Sequence, residues 1–270
     1  MNDNNSIGLL DSGVGGLSVL SELYKIMPNK NYIFFGDTKN VPYGTKSSSE
    51  IFNLTKNILE YFIKRNVKNV VFACNTTSAV AYDELKNYFQ DKINIFPLIQ
   101  SVAQSAIEGL KNNDTIAILA TKATINSKKY EIEIKKHNPN INVVGIDCTG
   151  FVEIVENRLY QDPATIELIK SKLEIARKNG AKRIVMGCTH YPYLEFIFKS
   201  ILDVEYFNPA KSLANIVKKE LGQIEGKSNL EFCVSKNPDE FILSAKTFFD
   251  VQKASLVELW LFLELTQELE

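Results

Sequence analysis

The chain lacks an excess of charge and any long apolar run. Its 270 residues carry 31 Lys and Arg against 32 Asp and Glu, a formal net charge of −1. That balance excludes a mainly electrostatic hold on nucleic acid and leaves room only for a local basic patch. No apolar stretch has the length of a bilayer span. The last such stretch, Leu256 to Leu265, is interrupted by Glu258 and Glu264 and reads as a terminal helix or a strand plus helix. The polar start, Met1-Asn-Asp-Asn-Asn-Ser6, has no export-signal pattern, so a cytoplasmic protein is expected. Histidine is scarce, with only His137 and His190. The four cysteines, Cys74, Cys148, Cys188 and Cys233, are far apart and form no Cys-x-x-Cys pair. A disulfide framework and a structural zinc site are therefore not expected, and no metal is assigned. No low-complexity tract, linker or long repeat divides the chain.

What is present is a steady alternation of short β-type runs with longer amphipathic runs. Strands are expected around Ile7, Tyr32, Val70, Ile95, Thr115, Ile141, Ile184, Val204 and Leu230, with helices between them. The helical spacing includes 17–26, 49–64, 77–89, 102–110, 126–136 and 164–179. Alternation of this kind predicts an α/β fold with mainly parallel sheets flanked by helices. The strands are apolar on both sides, as buried parallel strands are.

One internal echo stands out. Asn69-Val-Val-Phe-Ala-Cys74-Asn75-Thr76 and Arg183-Ile-Val-Met-Gly-Cys188-Thr189-His190 each run from an apolar strand into a cysteine and then small polar residues. The pair suggests two similar lobes with a cleft between them, each lobe placing a thiol at the carboxyl end of a strand, where ligands bind in such sheets. A cysteine at the start of the next helix is expected to favour the thiolate, which the helix dipole stabilises. Two thiols reaching one small molecule from opposite sides could move a proton from one face of a carbon to the other. His190, two residues after Cys188, reads as its base or orienting group. Asp11 and Glu156 are acidic partners, and a carboxylate beside a thiol raises its pKa. His137 reads as a solvated helix end, and Cys148 and Cys233 as small buried hydrophobes.

Two loops complete the set. Asp11-Ser12-Gly13-Val14-Gly15-Gly16 follows a strand and opens a helix, as a dinucleotide-binding turn does. The third glycine position is Ser18, however, and Asp11 would repel a pyrophosphate, so a nucleotide is not expected. In Gly36-Asp37-Thr38 through Val41-Pro42-Tyr43-Gly44-Thr45, Tyr43 and Gly44 could donate hydrogen bonds to a carboxylate. No lysine stands in a recognisable Schiff-base setting, so no ring cofactor is implied.

Taken in order, these segments resemble the cofactor-independent glutamate racemases. The matching runs are Asp11–Ser18, Gly36–Thr38, Val41–Lys46, Cys74–Ala79, Ala120–Ser127, Phe151–Glu156 and Gly187–Pro192. The resemblance implies a first lobe of residues 1–97 with 208–270, carrying Cys74, and a second lobe of 98–207, carrying Cys188. It implies Cys74 and Cys188 as catalytic acid/bases, with the former acting on D-glutamate and the latter on L-glutamate. Asp11 would assist Cys74, and Glu156 and His190 would assist Cys188. Ser12, Pro42, Tyr43, Gly44, Asn75, Thr76, Thr121, Thr124 and Thr189 would line the substrate site with Asp11 and His190. L-Glutamate and D-glutamate are the implied ligands, a homodimer the implied assembly, and D-glutamate for peptidoglycan the implied product. No cofactor, nucleic acid or membrane partner is implied. Racemisation of aspartate is the nearest alternative, and a thiol-redox protein or an inert binding module are more distant ones. The segment from about Trp260 extends past the matching part and has no assigned role.

Overall fold

The computed structural model describes residues 5–222, 228–246 and 248–259. The chain opens with β1 (Ser6–Asp11), α1 (Leu17–Ile26), β2 (Asn31–Gly36), α2 (Ser48–Lys64), β3 (Asn69–Phe72), α3 (Asn75–Val80), α4 (Tyr82–Phe89), β4 (Asn94–Pro97) and α5 (Leu98–Ala106). It continues with β5 (Thr115–Ala120), α6 (Lys122–Asn126), α7 (Lys129–His137), β6 (Asn142–Asp147), α8 (Phe151–Glu156), α9 (Pro163–Lys178), β7 (Ala181–Gly187), α10 (Glu195–Ile201) and β8 (Glu205–Phe207). The last described elements are α11 (Pro209–Leu221), β9 (Leu230–Val234), α12 (Pro238–Ala245) and β10 (Ser255–Leu256).

The strands form two sheets, ordered β10-β9-β2-β1-β3-β4 and β6-β5-β7-β8. Every pairing is parallel. Within each lobe the first four strands follow the same order, second-first-third-fourth, so β3 and β7 are equivalent. The chain direction reverses across the sheet between β1 and β3, and between β5 and β7. A crevice opens there at the carboxyl ends of the strands.

Alternate residues of the same strands supply opposite cores, which is why the runs are apolar throughout. Leu9, Phe34 and Val71 pack with α1 and α11 on one face, while Leu10, Phe35, Val70 and Phe72 pack with α2 on the other. In the second sheet Leu119, Ile184 and Met186 face α8 and α9, and Ile116, Ile118 and Val185 face α5 and α7. Helix α11 carries the chain back to pack on α1 through Leu213, Ala214 and Val217. Phe248 packs against both lobes' cores and meets Tyr193 in a tilted ring contact, with centroids 4.0 Å apart.

Three expected helices begin or end elsewhere. The 77–89 run is two helices, broken at Ala81, because the Ser78 carbonyl accepts from the Gln100 side chain at 3.0 Å instead of continuing the helical ladder. The 126–136 run is interrupted at Lys128, which is left-handed with φ 54°, and the Ser127 hydroxyl closes the preceding turn on Thr124. Helix α5 starts directly after Pro97 and stops before Gly109, whose φ is +82°. His137 ends α7 in an exposed position, and Cys148 and Cys233 are buried. Of the terminal stretch, Ser255–Leu256 pairs with β9. The segment from Trp260 onward lies outside the described residues.

Helix α2 is fixed at its start by a reciprocal cap between Ser47 and Glu50. Its Phe62 is fully buried over β1, so close that a Cβ on Gly8 would lie 3.0 Å from the ring. Phe62→Ala is expected to destabilise the protein by about 3–5 kcal/mol, whereas Ser47→Ala should cost about 1 kcal/mol. Urea unfolding of both variants checks the ranking; equal midpoints would contradict it.

Candidate active site between two lobes

The crevices of the two sheets face one another. Asp11 ends β1, and Cys74 follows β3 as the residue that starts α3. Thr121 follows β5 and Cys188 follows β7. Each lobe thus brings one cysteine and one polar strand end to its switch point.

The β1–α1 turn reaches across to the other lobe. Asp11 is completely buried, and its Oδ2 accepts from the N–H groups of Gly13 at 3.1 Å and Gly16 at 2.9 Å. Its Oδ1 has no hydrogen-bond partner among the described residues. Burial raises the Asp11 pKa, against the opposing pull of His190 and of the turn N–H groups, that of Ser12 included. Gly15 lies against His190 and Thr189 so tightly that a Cβ there would sit 2.4 Å from the imidazole Nδ1. No side chain fits at that position. The Ser18 hydroxyl donates to the Thr189 carbonyl at 3.0 Å, tying the two lobes beside the site.

On the second lobe, Cys188 Sγ is 3.8 Å from His190 Nδ1, and His190 Nε2 is 3.0 Å from Glu156 Oε1 at the end of α8. Burial pulls the imidazole pKa down, but the Cys188 sulfur and the Glu156 carboxylate outweigh it and raise it to about 10. His190 is therefore an imidazolium at neutral pH, held between the Cys188 sulfur and the Glu156 side chain. Cys188 does not open an α-helix directly: Thr189 and His190 intervene, and a single 3₁₀ turn, Tyr191–Leu194, precedes α10.

Cys74 behaves differently from the expectation that its helix start would favour the thiolate. Burial, with the charge of Asp11, pushes its pKa up to about 12, and the Cys188 sulfur across the cleft adds to the rise. The hydroxyl and N–H of Thr77 oppose the shift but do not overcome it. Helix α3 has only six residues, and desolvation of a buried sulfur outweighs the pull of so short a dipole. Cys74 is therefore a thiol at neutral pH.

The remaining candidates close the walls. Thr76 Oγ1 is 3.0 Å from Thr121 Oγ1, which is 3.1 Å from Thr124 Oγ1, so three hydroxyls from two lobes form one chain. A Cβ on Gly44 would lie 2.9 Å from the Thr121 side chain, which places the Pro42–Gly44 turn against that chain. The Tyr43 hydroxyl, however, donates to Asp37 at 2.6 Å, and the ring is buried. Any bond that Tyr43 offers in the cleft comes from its backbone. Asp37 also accepts from Asn40 and Ser235 and so pins this loop. Ser12, Asn75 and Thr189 are buried within the same turns. Asn75 Oδ1 meets the hydroxyl of Tyr130 from α7 at 2.6 Å. Sequence reading passed over Gly15, Ser18, Asp37, Thr77 and Tyr130. The quoted motifs contain the first four, but Tyr130 is 55 positions from its partner and carries no local signal. Among the described residues no group of three His, Cys, Asp or Glu side chains is arranged to hold a metal ion.

Two measurements probe this electrostatic arrangement. Gly15→Ala must displace the imidazole, so the His190 titration should fall from about 10 toward lower pH as the ring loses its partners. Proton NMR of the two histidines reads this directly, and an unmoved titration would contradict the contact. Alkylation of Cys74 by iodoacetamide should rise about tenfold per pH unit from pH ~7 to ~10 with no plateau, since thiolate is the reacting form. Asp11→Asn removes the neighbouring negative charge and should speed the reaction at any given pH; slower alkylation would refute that coupling.

Residues 18–217 match the profile of the Asp/Glu/Hydantoin racemase family. A relative named glutamate racemase 2, from Caldanaerobacter subterraneus subsp. tengcongensis, is 37% identical over 255 residues, covering 90% of this chain and 93% of its own. The solved glutamate racemase of Francisella tularensis, in complex with D-glutamate, superposes with a TM-score of 0.86 at 31% identity, covering 95% of this chain and 98% of that one. Glutamate racemase isoform RacE1 of Bacillus anthracis superposes with a TM-score of 0.88 at 28% identity, with coverage of 95% and 98%. With a profile match over most of its length and a two-lobed fold shared with solved racemases, the chain belongs to the Asp/Glu/Hydantoin racemase family of enzymes.

Proposed function

We propose that the protein is a cofactor-independent racemase that interconverts L-glutamate and D-glutamate through two thiols. The observation that carries this reading is that Cys74 and Cys188, at equivalent strand ends of opposite lobes, lie within electrostatic reach of one another in a single cleft. The relatives' names and the D-glutamate bound by one of them support the choice of substrate.

The Cα–H of an amino acid is a very weak acid, so the cleft must hold developing negative charge with placed donors in a water-poor setting. For L-glutamate, Cys188 as thiolate, paired with the His190 imidazolium, takes the α-proton. Cys74, as a thiol, delivers its proton to the opposite face. The cleft is left with Cys188 as thiol and Cys74 as thiolate, the state that accepts D-glutamate for the reverse reaction. Asp11, whose Oδ1 has no partner among the described residues, supplies a negative charge that would attract the substrate ammonium. That positive charge would offset the Asp11 repulsion that helps to hold the Cys74 proton. Glu156 keeps His190 charged. Ser12, the backbone of Pro42, Tyr43 and Gly44, and the polar groups of Asn75, Thr76, Thr121, Thr124 and Thr189 would take the two carboxylates.

The division into lobes 1–97 with 208–270, and 98–207, belongs to the same reading, and the return of α11 and β9 to the first sheet supports it. So do a homodimer, a cytoplasmic location and delivery of D-glutamate to peptidoglycan synthesis, on the family resemblance. Among the described residues no helix is long and apolar enough to cross a membrane.

Circular dichroism of each glutamate and aspartate enantiomer, with no added cofactor, should show loss of optical activity for glutamate alone. Cys74→Ser and Cys188→Ser should each abolish racemisation, and solvent deuterium should enter Cα only while the protein is active. Full racemisation by either single variant would defeat the two-thiol mechanism, and racemisation of aspartate instead would correct the substrate.

A further inference from the structure

Asn75 opens α3 beside Cys74 and is buried. Its Oδ1 is 2.6 Å from the Tyr130 hydroxyl. That separation suits an O–H···O contact and is shorter than the roughly 2.9 Å usual when an amide nitrogen takes part. The amide oxygen therefore faces Tyr130, and the phenol donates. Tyr130 belongs to α7 of the other lobe and is only 3% exposed. Burial, with the nearby Cys188 charge, pushes its pKa well above the ordinary phenol value, so it remains a donor. At the other end of the amide, Nδ2 has no partner among the described residues. It is not one of the sealed, unpaired polar atoms either, so it keeps some accessibility.

We infer that Tyr130 is a positioning residue for substrate binding: its hydroxyl, supplied by the second lobe, fixes the Asn75 amide so that Nδ2 faces the cleft as a donor to a substrate carboxylate. This rests on the glutamate reading above. A carboxylate only accepts hydrogen bonds, so an amide turned by half a rotation would present its oxygen and repel it. Nothing in α3 itself decides between the two orientations, because the amide of Asn75 is sterically almost symmetric. The choice comes from across the cleft. The amide is therefore set by a contact between the lobes, in the same cleft that holds both cysteines. Both glutamate enantiomers carry the same carboxylates, so losing the phenol affects the two directions alike.

Tyr130→Phe deletes a single oxygen and keeps the ring. The KM for L-glutamate and for D-glutamate should rise together by about five- to tenfold, the worth of one hydrogen bond, with a smaller change in kcat. In an Asn75→Ala background the same substitution should add nothing further. An unchanged KM in Tyr130→Phe overturns the assignment. So does a rise of equal size with Asn75 absent, which would mark a packing role. A wild-type chain inert on glutamate in the same assay removes the proposed function and this inference together, whereas an active wild type with an unaffected Tyr130→Phe variant removes only the inference.

Discussion

The site depends on one close approach. The glycine turn after β1 lies flat against His190 and Thr189 of the opposite lobe, with space for a hydrogen at Gly15 and for nothing larger. The same turn wraps its N–H groups around Asp11, and a Cβ at Gly16 would collide with that side chain at 2.5 Å. The two glycines thus serve two surfaces of one loop, one facing a buried carboxylate and the other a buried imidazolium. Because the loop is thin, Asp11 and His190 sit close enough for their charges to interact, and each cysteine lies beside one of them.

From this packing follow unlike surroundings for two cysteines that hold equivalent places in similar sheets. Cys74 meets an acidic neighbour and a short helix; Cys188 meets an imidazolium held by Glu156. The two sulfurs therefore sit in opposite electrostatic settings, one beside a carboxyl group and one beside an imidazolium. Burial is the common cause, since it amplifies each local charge beyond its effect in water.

Much of this was legible along the chain. Apolar runs alternating with amphipathic ones gave parallel sheets, and Cys74 and Cys188 were marked by matching local context. Departures occurred where a side chain from elsewhere took over a backbone group. Gln100 claims the Ser78 carbonyl and splits one helix into α3 and α4, and Ser127 turns the chain before α7. Tyr43 was read as a ligand by residue type, but Asp37 holds its hydroxyl, leaving only its backbone for the cleft. The thiolate expected at Cys74 gave way to desolvation, a quantity that no local pattern carries.

The sequence by itself determined the class of fold, the order of its elements and the identity of the strand-end residues. These follow from periodicity and from polar groups interrupting apolar runs, both properties of near neighbours in the chain. Only the tertiary structure decided which lobe supplies the partner of each group. Asn75 meets Tyr130, Thr76 meets Thr121, and Gly15 meets His190, all across a cleft and through contacts between residues dozens of positions apart or more. Charge, burial and hydrogen-bond direction depend on distance in space, and those distances exist only once the two sheets have been brought together.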